Sequence, residues 1–314
     1  RTVATESQLA TVRRAARARI APAAARDGVA VVPLVREPAQ LDAAIDAGCR
    51  EVELDWMEFT GLGRAVERAR AGGIAVTIAT PRIGKPGEEA LLERIRRLEP
   101  DGVLVRHFGA LMRFVGWRVQ AGDRCALHGD FALNATNSIT LLHLLGHGLE
   151  TVTAALDLDE TQLFALLEHV PGDRLAVIAH HRIPTFHTEH CVYAHLLGTG
   201  RDFRTCGRPC ERHRVALRDH IGREHPVIVD VGCRNTVFHH EPQQGAPWLA
   251  RLAGGGVRRF RVEFVRETAA EVATVLGAMR ALVDGRIDAA EYAARTGAAG
   301  QIGVAAGGMR LLTE

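Results

Sequence analysis

The sequence predicts a closed (β/α)8 barrel, TIM-like, interrupted once by a long cysteine-bearing insertion between its seventh and eighth strands. Three observations carry that prediction. Short β-branched runs recur eight times, separated by amphipathic helical patterns and Gly or Asp turns. The connection after the seventh run, from about residue 181 to 258, is far longer than the few residues that normally join such elements. Four of the six cysteines fall inside that connection.

The first 28 residues, rich in Ala and Arg, read as a helical tail or linker from an upstream region, with Leu9, Val12 and Ala16 near helical spacing. Residues 29–314 then read as one barrel domain. Its strands are expected at 29–34, 51–55, 74–80, 102–106, 132–134, 151–156, 175–180 and 259–264. Helices are expected at 38–47, 61–71, 88–98 and 161–169, with two more near 248–253 and 271–282. The apolar run 227–231 is placed inside the long insertion as loop. Eight strands with helices between them close more naturally into a barrel than into an open doubly wound sheet. The run Gly254–Gly256 follows a helix and precedes a strand, the reverse of a phosphate-binding loop, and reads as a helix-ending turn.

Composition narrows the function classes. With 47% apolar residues the chain has ample core and is not globally disordered. A formal net charge of +2 offers no bulk attraction for nucleic acid, although a local basic patch is compatible with it. No apolar run reaches the roughly 20 residues needed to span a bilayer, and no secretory signal is apparent. The expected location is cytoplasmic, where thiols stay reduced.

The chemistry concentrates in the cysteines. Cys191, Cys206, Cys210 and Cys233 are separated by 14, 3 and 22 residues. A close pair with Gly207 and Pro209 between forms one corner, and two distant cysteines close the site. Arg204, Arg208, Arg212, His213 and Arg234 stand by to offset thiolate charge. Spacing alone leaves two metal cofactors open, an iron–sulfur cluster or a structural zinc. Cys49 and Cys125 read as core or turn residues.

Barrel enzymes draw their chemistry from strand C-termini. Arg82, Arg106, His107, Asn134, Asn137, Asp157, His180, His181 and Glu263 are expected there. Arg82 and Arg106 suit a carboxylated ligand, since guanidinium pairs with carboxylate through two bonds, and Asn137 would help bind a polar substrate. His180, His187, Asn134, Asp157 and Glu263 are the candidate catalytic groups. His187 and His190, three apart, lack the H-E-x-x-H order of zinc peptidases, and no G-x-S-x-G elbow is present.

The run HTEHCVYAHLLGTGRDFRTCGRPCERHRVALRDHIGREHPVIVDVGCRNTVFH resembles peptidase family U-32, the collagenase-like family. More specifically, it looks like the large members related to the bacterial ribosomal-RNA cytidine hydroxylase. PLVREPAQLDAAIDAG, ATPRIGKPGEE, VLVRHFGAL, GDFALNATNSIT and RRFRVEF extend the likeness from about residue 29 to 265. The resemblance implies a 4Fe–4S cluster on Cys191, Cys206, Cys210 and Cys233. It implies hydroxylation of ribosomal RNA, tRNA or a ubiquinone precursor, prephenate-linked in some relatives. The family label itself implies proteolysis. The resemblance further implies that this chain is the C-terminal module of something larger. The expected partners are RNA or a small aromatic substrate and an upstream module of the same polypeptide.

Overall fold

The computed structural model describes residues 4–21, 28–56, 59–200 and 202–302. Eight parallel strands form its centre: β1 (Ala30–Val35), β2 (Glu51–Leu54), β3 (Ala75–Ala79), β4 (Gly102–Val105), β5 (Ala126–Gly129), β6 (Thr151–Thr153), β7 (Leu175–His181) and β13 (Arg259–Glu263). Each pairs with the next, and β13 pairs in parallel with both β7 and β1, so the sheet closes on itself. The predicted (β/α)8 barrel is therefore the observed fold.

Helices cover its outside. These are α2 (Pro38–Asp46), α3 (Phe59–Ala71), α4 (Glu89–Arg97), α5 (Phe108–Ala121), α6 (Ser138–Gly146), α7 (Glu160–Leu167), α9 (Ala246–Gly254) and α10 (Ala269–Val283), followed by α11 (Ala289–Thr296). Their apolar faces, including Leu41, Val66, Phe114, Leu141 and Leu276, meet the outward residues of the strands in one continuous core. Reciprocal capping boxes start α7 (Asp159 and Gln162) and α10 (Thr268 and Glu271). The glycine run ends α9 as expected, with Gly256 at φ 95°. A Cβ on the neighbouring loop's Gly172 would come within 2.3 Å of the Gly255 carbonyl, so the loops entering β7 and β13 touch backbone to backbone.

Within the expected 1–28 helix, the described helix is α1 (Glu6–Arg17). It lies against α6: Arg13 Nε donates to Ser138 Oγ at 3.1 Å and Arg17 to the His169 carbonyl at 2.9 Å.

The interior of the barrel is ionic. Glu51 and Glu53 on β2 alternate with outward Val52 and Leu54; Arg259, Arg261 and Glu263 on β13 alternate with outward Phe260 and Val262. Arg259 bonds Glu51 at 2.5 Å and Glu53 at 2.8 Å. Arg261 bonds Glu53 at 3.3 Å, reaches across the barrel to Asp130 beyond β5, and lies 2.9 Å from Glu263. All these β13 charges are at most 4% exposed. Buried charges persist only when paired, and here each opposes an opposite charge.

Two expectations are corrected. The fifth strand is Ala126–Gly129; residues 132–134 belong to a 3₁₀ turn, Phe131–Leu133, because Asp130 caps it and Asn134 leaves it in the left-handed region at φ 54°. The run 227–231 is not loop: most of it lies in β10 of a separate antiparallel sheet. That sheet, within the insertion, has the order β8 (Pro184–Thr188), β11 (Asn235–Phe238), β10 (Glu224–Val229), β9 (Val215–Arg218). A short helix, α8 (Val192–Leu197), follows β8. The chain returns to the barrel through β12 (Gln243–Gln244), antiparallel to the end of β7.

Candidate functional site

The insertion roofs the C-terminal mouth of the barrel, and polar side chains hold it there. Arg234, fully buried, bonds Glu88 from the β3–α4 loop at 2.7 Å and Glu189 at 2.9 Å. Arg266, beyond β13, donates to Tyr193 Oη at 3.0 Å and to the carbonyls of Val215 and Val227 at 2.9 and 2.8 Å. Arg182 bonds Glu267 at 2.9 Å.

Between roof and mouth lies a cavity whose polar wall contains Arg36, Asp55, Arg82, Arg106, His187 and Asp230. Its apolar wall is Trp56, Leu62 and Ile78 from the barrel and Ile228, Val229 and Phe238 from the insertion. The two expected arginines have separated roles. Arg106 is committed, with Asp130 at 2.8 Å and Asp55 at 2.6 Å. Burial alone would lower its pKa, but those carboxylates outweigh burial and raise it. Burial likewise pushes Asp55 up, and Arg106 and Arg36 more than reverse this, holding it far below the usual carboxylate range. Arg82 has no ion pair among the described residues; its guanidinium lies 5.0 Å over the Phe131 ring. Burial, then Arg106, lower its pKa to about 10, so it stays charged at neutral pH.

Among the described residues, two further polar atoms in the cavity wall are buried with neither a hydrogen bond nor an ion pair: His187 Nε2 and Asp230 Oδ2. Native proteins rarely leave such atoms unpaired. His187 Nδ1 is held by Thr236 Oγ1 at 2.9 Å. Burial, then the Arg82 and Arg234 charges, lower its pKa to about 4, so the ring is neutral near pH 7. Asp230 Oδ1 accepts from the backbone N–H of Gly232 and Arg234 at 2.8 and 2.9 Å, and burial raises its pKa. Asp230 was not singled out by sequence, although Asp-Val-Gly is a readable Asx-turn signal.

The same turn carries Cys233, in the left-handed region at φ 60°. Its thiol is pushed up to about 11 by burial, then by Cys191, Cys210, Cys206 and Asp230. Cys210 is raised by burial, then by Cys191 and, more weakly, Cys206. The fold thus brings all four predicted cysteines into one electrostatic neighbourhood, unpaired by disulfides. Cys191 caps α8, accepting from Ala194 N at 3.5 Å. Among the described residues, no group of three or more His, Cys, Asp or Glu side chains stands ready to hold a single metal ion. Cys49 and Cys125 pack against the barrel core, away from this set.

The other expected site residues are not brought to the cavity. Asn134 ends the 3₁₀ turn and Asn137 caps α6, accepting from Thr140 N at 2.9 Å; both are exposed. Asp157 is exposed in a turn after β6. His180 is buried with Nδ1 3.0 Å from Tyr292 Oη, and burial lowers its pKa to about 4. His181 is likewise lowered to about 4 by burial and meets Gln243. Glu263 belongs to the ionic barrel interior. His107 caps α5, accepting from Ala110 N. No helix among the described residues is long and apolar enough to cross a membrane.

No family model matches the chain, and no curated protein matches it. Among solved structures the chain is similar to a U32 peptidase, with a TM-score of 0.45 and 14% identity over 79% of this chain and 98% of that one. It is also similar to an HpcH/HpaI aldolase from Desulfitobacterium hafniense DCB-2, with a TM-score of 0.40 and 10% identity over 81% of this chain and 92% of that one. By its own strand order, the chain is a closed parallel (β/α)8 barrel roofed by a four-stranded insertion.

Proposed function

We propose that this chain is an iron–sulfur-dependent enzyme of hydroxylase type that modifies a base in ribosomal RNA or tRNA. Cys191, Cys206, Cys210 and Cys233 would hold a 4Fe–4S cluster, and the barrel-mouth cavity would hold a small carboxylated co-substrate. The observation that carries this reading is the turn from Asp230 to Arg234, which places Asp230 on the cavity and Cys233 among the thiols. The thiols suit the cofactor in kind: burial, then neighbouring thiols, make the Cys210 and Cys233 thiolates costly, a cost that bound iron would remove. Such a cluster would supply one-electron chemistry.

The chain's own groups do the rest. Arg82, without a carboxylate of its own, binds the anionic group of the ligand. His187, neutral and fixed by Thr236, gives or takes a proton at Nε2. Asp230 Oδ2 accepts a hydrogen bond from a ligand hydroxyl. Trp56 and the apolar wall keep water away. Beside Cys210 runs a groove lined by Trp56, by Arg64, Arg212 and Arg266, which have no carboxylate partner among the described residues, and by Glu37, Asp42 and Glu211; its arginines outnumber its carboxylates, and with the aromatic surface they suit a single-stranded polyanion. A second reading, proteolysis, has one observation in its favour, the Thr236 Oγ1 and His187 Nδ1 pair at 2.9 Å.

Mass spectrometry of ribosomal RNA, tRNA and quinones from a deletion strain tests the proposal. It predicts one missing hydroxyl on an RNA base, restored by the wild-type gene and not by a Cys233→Ser version. A hydroxyl missing from a quinone would redirect the substrate. Intact RNA, with casein cleavage that tracks the protein and is lost on Thr236→Val, would replace hydroxylation with proteolysis.

A further inference from the structure

The insertion contains a histidine cluster that the proposed function does not use. His225 lies on β10, and His239 and His240 follow β11. Their ring centroids are 4.3 Å apart for His239 and His240, 5.3 Å for His225 and His240, and 5.7 Å for His225 and His239. Two of the rings have one nitrogen hydrogen-bonded. His225 Nε2 is 3.3 Å from Asp219 Oδ2. His239 Nδ1 is 3.1 Å from the Glu241 carbonyl and 3.3 Å from the Glu241 backbone nitrogen. His240 Nε2 comes within 3.3 Å of Glu241 Oε1 but out of line for a hydrogen bond, so both nitrogens of His240 are buried without a hydrogen-bond partner. That leaves His225 Nδ1, His239 Nε2 and the two nitrogens of His240.

We infer that His225, His239 and His240 form a binding site for one divalent transition-metal ion of the zinc class, with Asp219 orienting the first imidazole and the Glu241 backbone the second. Metal-binding histidines almost always give their second nitrogen to a carboxylate or carbonyl, which fixes the tautomer and raises the basicity of the ligating nitrogen. His225 and His239 show that arrangement, and His240 brings two ring nitrogens that no hydrogen bond occupies. Three imidazoles around a tetrahedral ion, with metal–nitrogen bonds near 2 Å, place their centroids about 5 Å apart, which matches the observed spread. As the rings stand, no three donors among the described residues meet at one point; closing the site falls to the His240 ring, which no hydrogen bond holds in place. The His225 and His240 side chains are 14% and 12% exposed, so an ion has a path in from solvent and a fourth position for water.

The location gives the ion a task. Arg182 donates to the carbonyls of His239 and His240, and His239 N donates to the Ile183 carbonyl at 2.8 Å, so the cluster marks the joint between insertion and barrel. An ion bound there ties β10 and the Asp219 turn to that joint.

The test titrates the full chain with cobalt(II) alone and reads the absorption spectrum and bound metal. Thiolate-bound cobalt shows an intense near-ultraviolet charge-transfer band, and cobalt held by imidazoles does not, so the two sites separate within one titration. The expected result is one equivalent lacking the sulfur band. His240→Asn should weaken that equivalent at least about 100-fold, Asp219→Asn about 10-fold, and Cys191→Ser should leave it unchanged. Should His240→Asn fail to fold by circular dichroism, Asp219→Asn, at an exposed turn, decides. The inference is overturned if no such equivalent is found, if Asp219→Asn and a folded His240→Asn bind as wild type, or if the equivalent disappears with Cys191→Ser.

Discussion

Replacing Arg261 with Met probes the ionic barrel interior. The substitution keeps much of the side-chain volume and removes one charge that serves three carboxylates. Glu53 would keep Arg259 at 2.8 Å, and Asp130 would keep Arg106 at 2.8 Å. Among the described residues, Glu263 would keep only Arg36, at 3.6 Å. The damage therefore falls on Glu263, a carboxylate 4% exposed and left nearly unpaired. Breaking a buried pair on one side costs about 3–5 kcal/mol. Urea unfolding at pH 7 should show a loss of that size with an unchanged m-value. Adding Glu263→Gln should recover about 1–3 kcal/mol, since it removes the stranded charge. A deficit under 1 kcal/mol at pH 7, or strict additivity of the two substitutions, would refute the reasoning that pairing holds this interior together.

Three further outcomes are expected. Arg82→Gln should weaken binding of a small carboxylated ligand about tenfold or more, read by calorimetry, and leave stability within about 0.5 kcal/mol, because Arg82 has no ion pair to lose. His180 and His181, both held near pKa 4 and under 5% exposed, contribute stability that is fully present above about pH 6.5 and lost as pH falls towards 4; replacing His180 with Gln should flatten that acid limb, seen as a smaller drop in Tm between pH 7 and 5. Asn137→Ala should cost about 1 kcal/mol by thermal unfolding through loss of the α6 cap and leave the proposed RNA hydroxylation intact.

How far the sequence speaks differs from element to element. The barrel strands with apolar outward faces were legible because β-branched residues fill them. β5 was not, since Ala126-Leu-His-Gly is short and turns His128 inward to Thr151 at 2.9 Å. The alternation in Glu-Val-Glu-Leu and Arg-Phe-Arg-Val-Glu already states that charge faces into the barrel, but which carboxylate meets which guanidinium depends on closure across the ring. β8 and β10 carry Pro and His within their spans, so local propensity argued for loop where pairing in the insertion's sheet prevails. At the site, the cysteines stood out by spacing and Arg82 and His187 by position. Asn134 and Asn137 drew attention for the same reason, yet at strand and helix ends Asn more often closes a turn. Asp230 was hidden because its importance comes from an unpaired oxygen, which only packing reveals.

The central claim is that Cys191, Cys206, Cys210 and Cys233 hold an iron–sulfur cluster. Its most direct test is iron and acid-labile sulfide analysis of the full chain purified without oxygen, with the visible spectrum recorded on the same sample. The account predicts a brown protein with about four iron and four sulfide per chain, both lost in Cys233→Ser. A colourless protein carrying one zinc and no sulfide, released by the same substitution, would contradict it.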